Sequence, residues 1–190
     1  MQLKNWTIFL DRDGVINIQK SGGYIQNCAE FQFLPKNLDV FQKISTLFET
    51  VLVVTNQQGI AKGLMTEKDL NEIHEYMIAE ISKAGGQVNK VYFCPDFAYL
   101  NSPCRKPNTG MALQAKEDFP EIDFSKSVMV GDSDSDIEFG KRLGMLTVWI
   151  DNGVVSDKKR KSITVQADFV FGSLEDFVDN IPTVFFDKIS

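Results

Sequence analysis

Apolar positions in this chain fall into two kinds of run that take turns along its length. Continuous runs at Trp6 with Ile8–Leu10, Val51–Val54, Val88–Phe93, Val128–Gly131 and Leu146–Ile150 have the length of strands buried on both faces. Phe169–Phe171 predicts a short sixth strand. Between these runs the apolar residues recur at helical spacing. Leu38, Phe41, Ile44 and Phe48 mark one helix, with Pro35 suited to its first turn. Thr66 followed by Asp69 resembles a capping box and opens a second helix, whose stripe is Leu70, Ile73, Met77, Ile78 and Ile81 and whose end is Gly85–Gly86. A third helix starts near Thr109, and a fourth runs through Ile137 and Leu143 to a capping Gly144. This alternation predicts an α/β protein, a doubly wound parallel sheet with helices on both faces in a three-layer arrangement. Residues 1–190 read as a single domain, without internal repeat, low-complexity tract or linker. Two helix-free stretches are long for simple connections. One covers about 15–34, where Phe31 and Phe33 alternate with polar neighbours as in a small hairpin flap; the other covers about 94–105.

Polar residues cluster where the strands end. The first strand runs into Asp11-Arg12-Asp13-Gly14, the second into Thr55-Asn56, and the fourth into Asp132-Ser133-Asp134-Ser135-Asp136. The stretch after the third strand carries Arg105 and Lys106 ahead of a helix. In an open parallel sheet these carboxyl ends share one edge, where ligands bind, so the groups can converge. His74, the sole histidine, lies on the apolar stripe of the second helix, away from any strand end, and reads as a packed residue. Acid–base chemistry is left to carboxylates.

Bulk properties narrow the choice. A net charge of −6 argues against a nucleic-acid binder but leaves room for a small phosphorylated ligand, which needs only local donors. Met1–Asn5 opens no apolar leader, and no run approaches the ~18 apolar residues of a membrane span. Cys28, Cys94 and Cys104 make an odd set, so a disulfide framework is not expected and the cytoplasm is the expected location. The charged run Asp157–Lys161 reads as a solvated loop, and no amphipathic stretch calls for a partner, so a monomer is expected. Clustered carboxylates without a histidine or thiolate set favour a hard cation, Mg²⁺, and a lysine, a hydroxyl and amides around it suit the oxygens of a phosphoryl group.

Taken in order, Asp11-x-Asp13-Gly14, Thr55, Lys106 and Gly131-Asp132-Ser133-x-x-Asp136 resemble the haloacid dehalogenase superfamily of phosphatases. The stretches Phe9–Asn17, Thr55–Gly63 and Cys104-Arg105-Lys106-Pro107 are similar to those of D,D-heptose 1,7-bisphosphate phosphatases and histidinol-phosphate phosphatase domains. The likeness covers roughly residues 6–150. It implies that Asp11 attacks phosphorus and becomes an aspartyl phosphate, and that Asp13 serves as general acid and then base. Thr55 would hold a phosphoryl oxygen with Asn56 beside it, and Lys106 would neutralise charge. Mg²⁺ would be bound by Asp11, Asp132 and the main-chain carbonyl of Asp13, with Asp136 supporting its shell. Arg105 and Lys62 are expected to contact substrate, a small phosphorylated sugar; D-glycero-D-manno-heptose 1,7-bisphosphate, cleaved at the 7-phosphate, is the leading expectation and histidinol phosphate the alternative.

One departure from the family pattern stands out. Its zinc loop, Cys-x-His followed by Cys-x-Cys, corresponds here to Cys94, Asp96, Ser102 and Cys104, and a closed structural zinc site takes four nitrogen or sulfur ligands. Zinc is therefore expected to be absent. There is also no room for a large cap domain after Gly14 or between Gly59 and Arg105, so the two long loops must shape the pocket. A non-catalytic phosphorylated receiver shares the clustered acids, threonine and lysine. Receivers, however, carry the phosphorylated aspartate on a later strand, whereas here Asp-x-Asp comes first. A sugar-phosphate sensor would have had no use for Asp11, Asp13, Lys106 and Asp132 together.

Overall fold

The structure is a computed structural model that describes residues 3–153 and 165–184; the run Asp157–Lys161 lies outside the described residues. Six strands, β1 (Leu3–Leu10), β2 (Phe48–Asn56), β3 (Lys90–Cys94), β4 (Ser127–Gly131), β5 (Leu146–Ile150) and β6 (Phe169–Phe171), form one sheet in the order β3-β2-β1-β4-β5-β6. Every pairing in it is parallel. The chain winds outward from β1 to β3, then returns to lay β4 against the other side of β1. This reversal opens a crevice above the carboxyl ends of β1 and β4, where the groups on the flanking loops separate.

Helices α1 (Asn37–Leu47), α2 (Glu67–Lys83) and α5 (Leu174–Asp179), followed by the short α6 (Ile181–Val184), cover one face of the sheet. Helices α3 (Gly110–Asp118) and α4 (Asp134–Arg142) cover the other. On the first face Ile8, Leu10, Val51 and Val53 meet Phe41, Ile44, Ile73 and Met77; on the second Phe9, Leu52, Val54 and Met129 meet Met111, Ala115 and Phe139. Strand period two explains how neighbouring residues serve opposite cores, and why these strands are apolar throughout. Among the described residues there is no separate cap domain, and no helix is long and apolar enough to cross a membrane.

The expected elements form, with shifted edges. Pro35 precedes helix α1 instead of opening it, because Lys36 takes φ 63° at the N-cap and no helix passes through that conformation. Phe48, expected on the stripe of α1, begins β2 and pairs with Leu3. The Thr66–Asp69 capping box is present at the start of α2. In the flap the Ile18 amide donates to the Gln32 carbonyl (2.8 Å) and the Leu34 amide to that of Ile16 (3.0 Å), a minimal antiparallel pairing around Phe33. The buried Asn37 amide donates to the carbonyls of Val15 and Ile16 (2.7 and 2.9 Å), tying the flap to α1.

Candidate active site at the carboxyl edge of the sheet

Strand β1 delivers Asp11 to the crevice. The Asp11 amide donates to the Val130 carbonyl (2.9 Å), carrying the β1–β4 pairing one residue past the strand. Three residues on, Gly14 has φ 90°, and a Cβ built there would lie 2.1 Å from Asp132 Oδ2. Only glycine both adopts this backbone readily and lets the β4 carboxylate approach so closely. A similar condition holds at Gly131, where an added Cβ would meet that of Asp136 at 2.1 Å.

Lys106 is the cation of the site. It lies 95 residues from Asp11 in the chain, yet its Nζ donates to Asp11 Oδ1 (2.8 Å) and to the Val54 carbonyl (2.7 Å) and pairs with Asp136 Oδ1 (2.6 Å). Its backbone is fixed by Asn56, whose side chain accepts from the Lys106 amide (3.0 Å) and donates to the Lys106 carbonyl (3.1 Å). Burial pushes the Lys106 ammonium toward losing its proton, but the charges of Asp11 and Asp136 outweigh this and hold its pKa above the ordinary lysine value. Burial pushes the Asp11 carboxyl up to about 7, reinforced by Asp136 and opposed by Lys106.

Asp132 comes from the end of β4, and the fully buried Asp136 from the first turn of α4. Asp136 Oδ2 accepts from the amide and hydroxyl of Ser133 (3.1 and 2.5 Å), which leaves Oδ1 for Lys106. One oxygen from each of Asp11, Asp132 and Asp136 lies within 4.8 Å of the others. Three converging carboxylates with one ammonium leave a buried surplus of negative charge, and an all-oxygen donor set of this kind fits a hard divalent cation.

Asp13 faces the same cleft with its side chain 21% exposed. Its Oδ1 accepts from Arg12 Nη2 (3.0 Å) and Asn17 Nδ2 (2.9 Å), and its Oδ2 from Arg12 Nη2 (2.9 Å) and Gln57 Nε2 (2.8 Å). Burial alone would raise its pKa, but Arg12 and these hydrogen bonds together hold it below the usual carboxylate value. Gln57 also donates to the buried Thr55 hydroxyl (2.9 Å), which keeps that hydroxyl's own proton available to a ligand. Behind Asp13, Arg12 is fully buried, and its Nη1 lies 3.2 Å from His74 Nε2. The expectation that His74 lies away from the strand ends is thus corrected. It is packed in α2 as predicted, but the length of the arginine side chain brings it into contact with the site. Burial first, then the Arg12 charge, push the His74 pKa down to about 3.

The cleft holds about 190 Å³ and is bounded by the flap residues Gln19, Lys20, Tyr24 and Ile25, and by Arg105. Arg105 donates to the Asp96 carbonyl (3.1 Å). Lys62 is not part of that wall; its Nζ meets the Tyr24 hydroxyl (3.1 Å) and lies 5.0 Å from the ring centre, so it reaches the cleft only through Tyr24. The loop carrying Arg105 is closed by a Cys94–Cys104 disulfide, Cα–Cα 5.4 Å, where no disulfide framework was expected. The loop turns back on the end of β3 and brings the two sulfurs together, leaving Cys28 as the odd free thiol. Asp96 Oδ2 lies 4.0 and 3.7 Å from the two sulfurs, while Ser102 takes part only through its carbonyl, which accepts from Arg105 and Asn108.

Known proteins resemble the chain as a whole. A family model described as "HAD-hyrolase-like" matches residues 103–177. A D-glycero-alpha-D-manno-heptose-1,7-bisphosphate 7-phosphatase of Burkholderia mallei is 33% identical over 183 residues, covering 93% of each chain. The chain belongs to the haloacid dehalogenase superfamily of phosphatases. A relative of the same name from Mycobacterium bovis is 37% identical over 133 residues, 70% of each chain, and one from Pasteurella multocida, named for the beta anomer, is 33% identical over 89% of this chain and 92% of its own. Among solved structures, the D,D-heptose 1.7-bisphosphate phosphatase from B. bronchiseptica, complexed with magnesium and phosphate, superposes with a TM-score of 0.83 at 26% identity over 94% of this chain and 99% of its own.

Within this haloacid dehalogenase fold the tertiary structure brings together Asp11, Asp13, Thr55, Asn56, Arg105, Lys106, Asp132 and Asp136 around one cleft, and leaves Lys62 behind Tyr24. Sequence reasoning did not single out Arg12, Asn17, Gln57 or Tyr24. Arg12 and Gln57 lie inside the stretches that carried the family likeness, but nothing in their spacing shows that both turn onto Asp13.

Proposed function

We propose that this phosphatase removes the 7-phosphate of D-glycero-D-manno-heptose 1,7-bisphosphate, with Asp11 as nucleophile and Mg²⁺ as cofactor. The observation that carries this reading is Lys106 paired with both Asp11 and Asp136, with Asp132 converging on the same two acids. An Asp11 oxygen attacks phosphorus and the bond from phosphorus to the sugar oxygen breaks; Asp13, whose neighbours hold it ionised in the free protein, takes up a proton as substrate binds and gives it to that oxygen. Water then attacks the aspartyl phosphate, Asp13 takes the water proton, and Asp11 is released with inorganic phosphate. Lys106 and the Thr55 hydroxyl hold phosphoryl oxygens throughout. When bound, Mg²⁺ neutralises charge on the transferred phosphoryl group, held by Asp11, Asp132 and the main-chain carbonyl of Asp13 with Asp136 supporting that set. Arg105 and the flap receive the rest of the sugar. Relatives named for either anomer leave the C1 configuration to experiment. In the loop, Cys94, Asp96 and Cys104 supply at most three ligands, and with the cysteines joined no thiolate remains, so the protein is proposed to work without zinc.

The test is phosphate release, with Mg²⁺, from both anomers of heptose 1,7-bisphosphate and from histidinol phosphate, using Asp11→Asn as control. Turnover of a heptose bisphosphate that the variant abolishes supports the assignment. Turnover of histidinol phosphate alone would overturn the substrate, and a wild type no faster than Asp11→Asn would overturn the mechanism. Elemental analysis of the purified protein finding one zinc per chain would refute the zinc-free loop.

A further inference from the structure

We infer that Arg12, braced from behind by His74, is a positioning residue that fixes the carboxylate plane of Asp13 for proton transfer to the leaving group. The inference rests on the reading of Asp13 as the general acid.

Arg12 sits between the two acids of the first loop and is the largest fully buried side chain among the described residues. Burying a guanidinium costs several kcal/mol, and a buried ion pair seldom stabilises a fold better than apolar side chains of similar volume would. Its geometry is that of an orienting group. One nitrogen, Nη2, bridges both oxygens of Asp13 (3.0 and 2.9 Å), so the carboxylate cannot turn about its Cβ–Cγ bond without losing a contact to a charged donor. Asn17 and Gln57 then take one oxygen each, from the flap base and from the loop after β2. Rotating the Asp13 carboxylate means breaking contacts to three separate segments, of which only Arg12 carries charge. The remaining exposed part of Asp13 faces the cleft.

Within the β1 loop the guanidinium is held through Asp13, the very group it orients, and its Nε has no hydrogen-bond partner. The brace comes from α2. A guanidinium can only donate, so His74 Nε2 accepts from Nη1 (3.2 Å) and the imidazole carries its proton on Nδ1. His74 is 5% exposed, and its helix neighbours Ile73 and Met77 are fully buried in the core. The helix thereby registers the Arg12–Asp13 pair against the sheet, and a shift of the order of 1 Å at a reacting group can cost roughly 10²-fold in rate.

A general acid matters in proportion to how poor the leaving group is, which gives a readout that simple structural damage would not mimic. We would measure kcat/KM for heptose 1,7-bisphosphate, an alkyl phosphate, and for p-nitrophenyl phosphate, whose phenolate leaves unaided. The proteins are wild type, Asp11→Asn, Asp13→Asn, Arg12→Met and the double variant Arg12→Met/Asp13→Asn. Arg12→Met is expected to lose roughly 10²-fold on the sugar phosphate and at least about tenfold less than that on the aryl phosphate, and to add no further loss to Asp13→Asn. Should Arg12→Met fail to fold, His74→Phe, which removes the acceptor and keeps a ring, carries the test. It is expected to give the same selectivity at smaller size, with His74→Gln, which keeps an acceptor, restoring the sugar rate. Equal losses on both substrates, or an Arg12→Met loss that persists undiminished beside Asp13→Asn, would overturn the positioning role. A wild type no faster than Asp11→Asn would instead overturn the phosphatase mechanism, and the positioning role with it.

Discussion

Replacing Gly14 by alanine separates the two demands that this position meets. The backbone demand is φ 90°, which for an L side chain costs roughly 1–2 kcal/mol. The second demand is space. The new Cβ would sit 2.1 Å from Asp132 Oδ2 and 2.6 Å from its Cγ, where ordinary contact begins at 3.4 Å, so the carboxylate must retreat by more than 1 Å. Since Asp132 is one of three acids whose oxygens converge within 4.8 Å, that retreat would remove a ligand from the proposed cation site. Gly144→Ala supplies the control, because Gly144 also has positive φ (73°) but an added Cβ there meets nothing within 4 Å. Both variants should lose stability in urea denaturation, Gly14→Ala by at least as much as Gly144→Ala. Only Gly14→Ala should weaken Mg²⁺ binding by calorimetry and lower kcat, by roughly 10²-fold for a displacement of this size. If Gly14→Ala bound Mg²⁺ and turned over substrate as Gly144→Ala does, close approach to Asp132 would have no part in the site.

Other expectations follow from the same geometry. Lys106→Met leaves Asp11 and Asp136 facing each other without a cation. It should destabilise the metal-free protein by roughly 3–5 kcal/mol, the difference narrowing as Mg²⁺ is titrated in, and lower kcat by at least ~10²; wild-type stability without metal would contradict this. Because the Asp11 carboxyl stays protonated up to about pH 7 in the metal-free protein, protons compete with the metal. Mg²⁺ affinity by calorimetry should fall by up to about tenfold per pH unit below that point and level off above it, and an affinity flat from pH 5.5 to 8 would count against it. His74 has its folded pKa lowered from 6.5 to about 3, so between those values the unfolded chain binds the extra proton. Its contribution to stability is complete above pH 6.5 and is lost on acidification, by up to about 1.4 kcal/mol per pH unit. The difference between wild type and His74→Gln in urea midpoints across pH 4–7 isolates this slope, since Asp11 titrates in both; parallel profiles would refute it.

Local sequence carried much of this protein. Strand runs bounded by helical stripes specified the parallel sheet, and because strand ends in such a sheet share an edge, Asp11, Asp13, Thr55, Lys106 and Asp132 could be assigned to one place before any contact was known. Where boundaries slipped, two periods fitted the same residues: Phe48 satisfies the stripe of α1 and the core position of β2 equally well, and pairing with Leu3 decides between them. The cysteine count argued from compartment and parity, and these say nothing about whether a loop folds back to bring Cys94 onto Cys104.

What only the tertiary structure decided is how the site is held. Residue type and order determined which chemistry the chain can perform, since carboxylates, a lysine and a hydroxyl at strand ends are properties of short stretches. The orientation of those groups depends on partners far away in the chain: Arg12 with His74 across 62 residues, Asn56 with Lys106 across 50, and Lys106 with Asp11 across 95. Hydrogen bonds and ion pairs act over about 3 Å and carry no periodic trace in a sequence, so such contacts exist only once the sheet and its helices have closed around them.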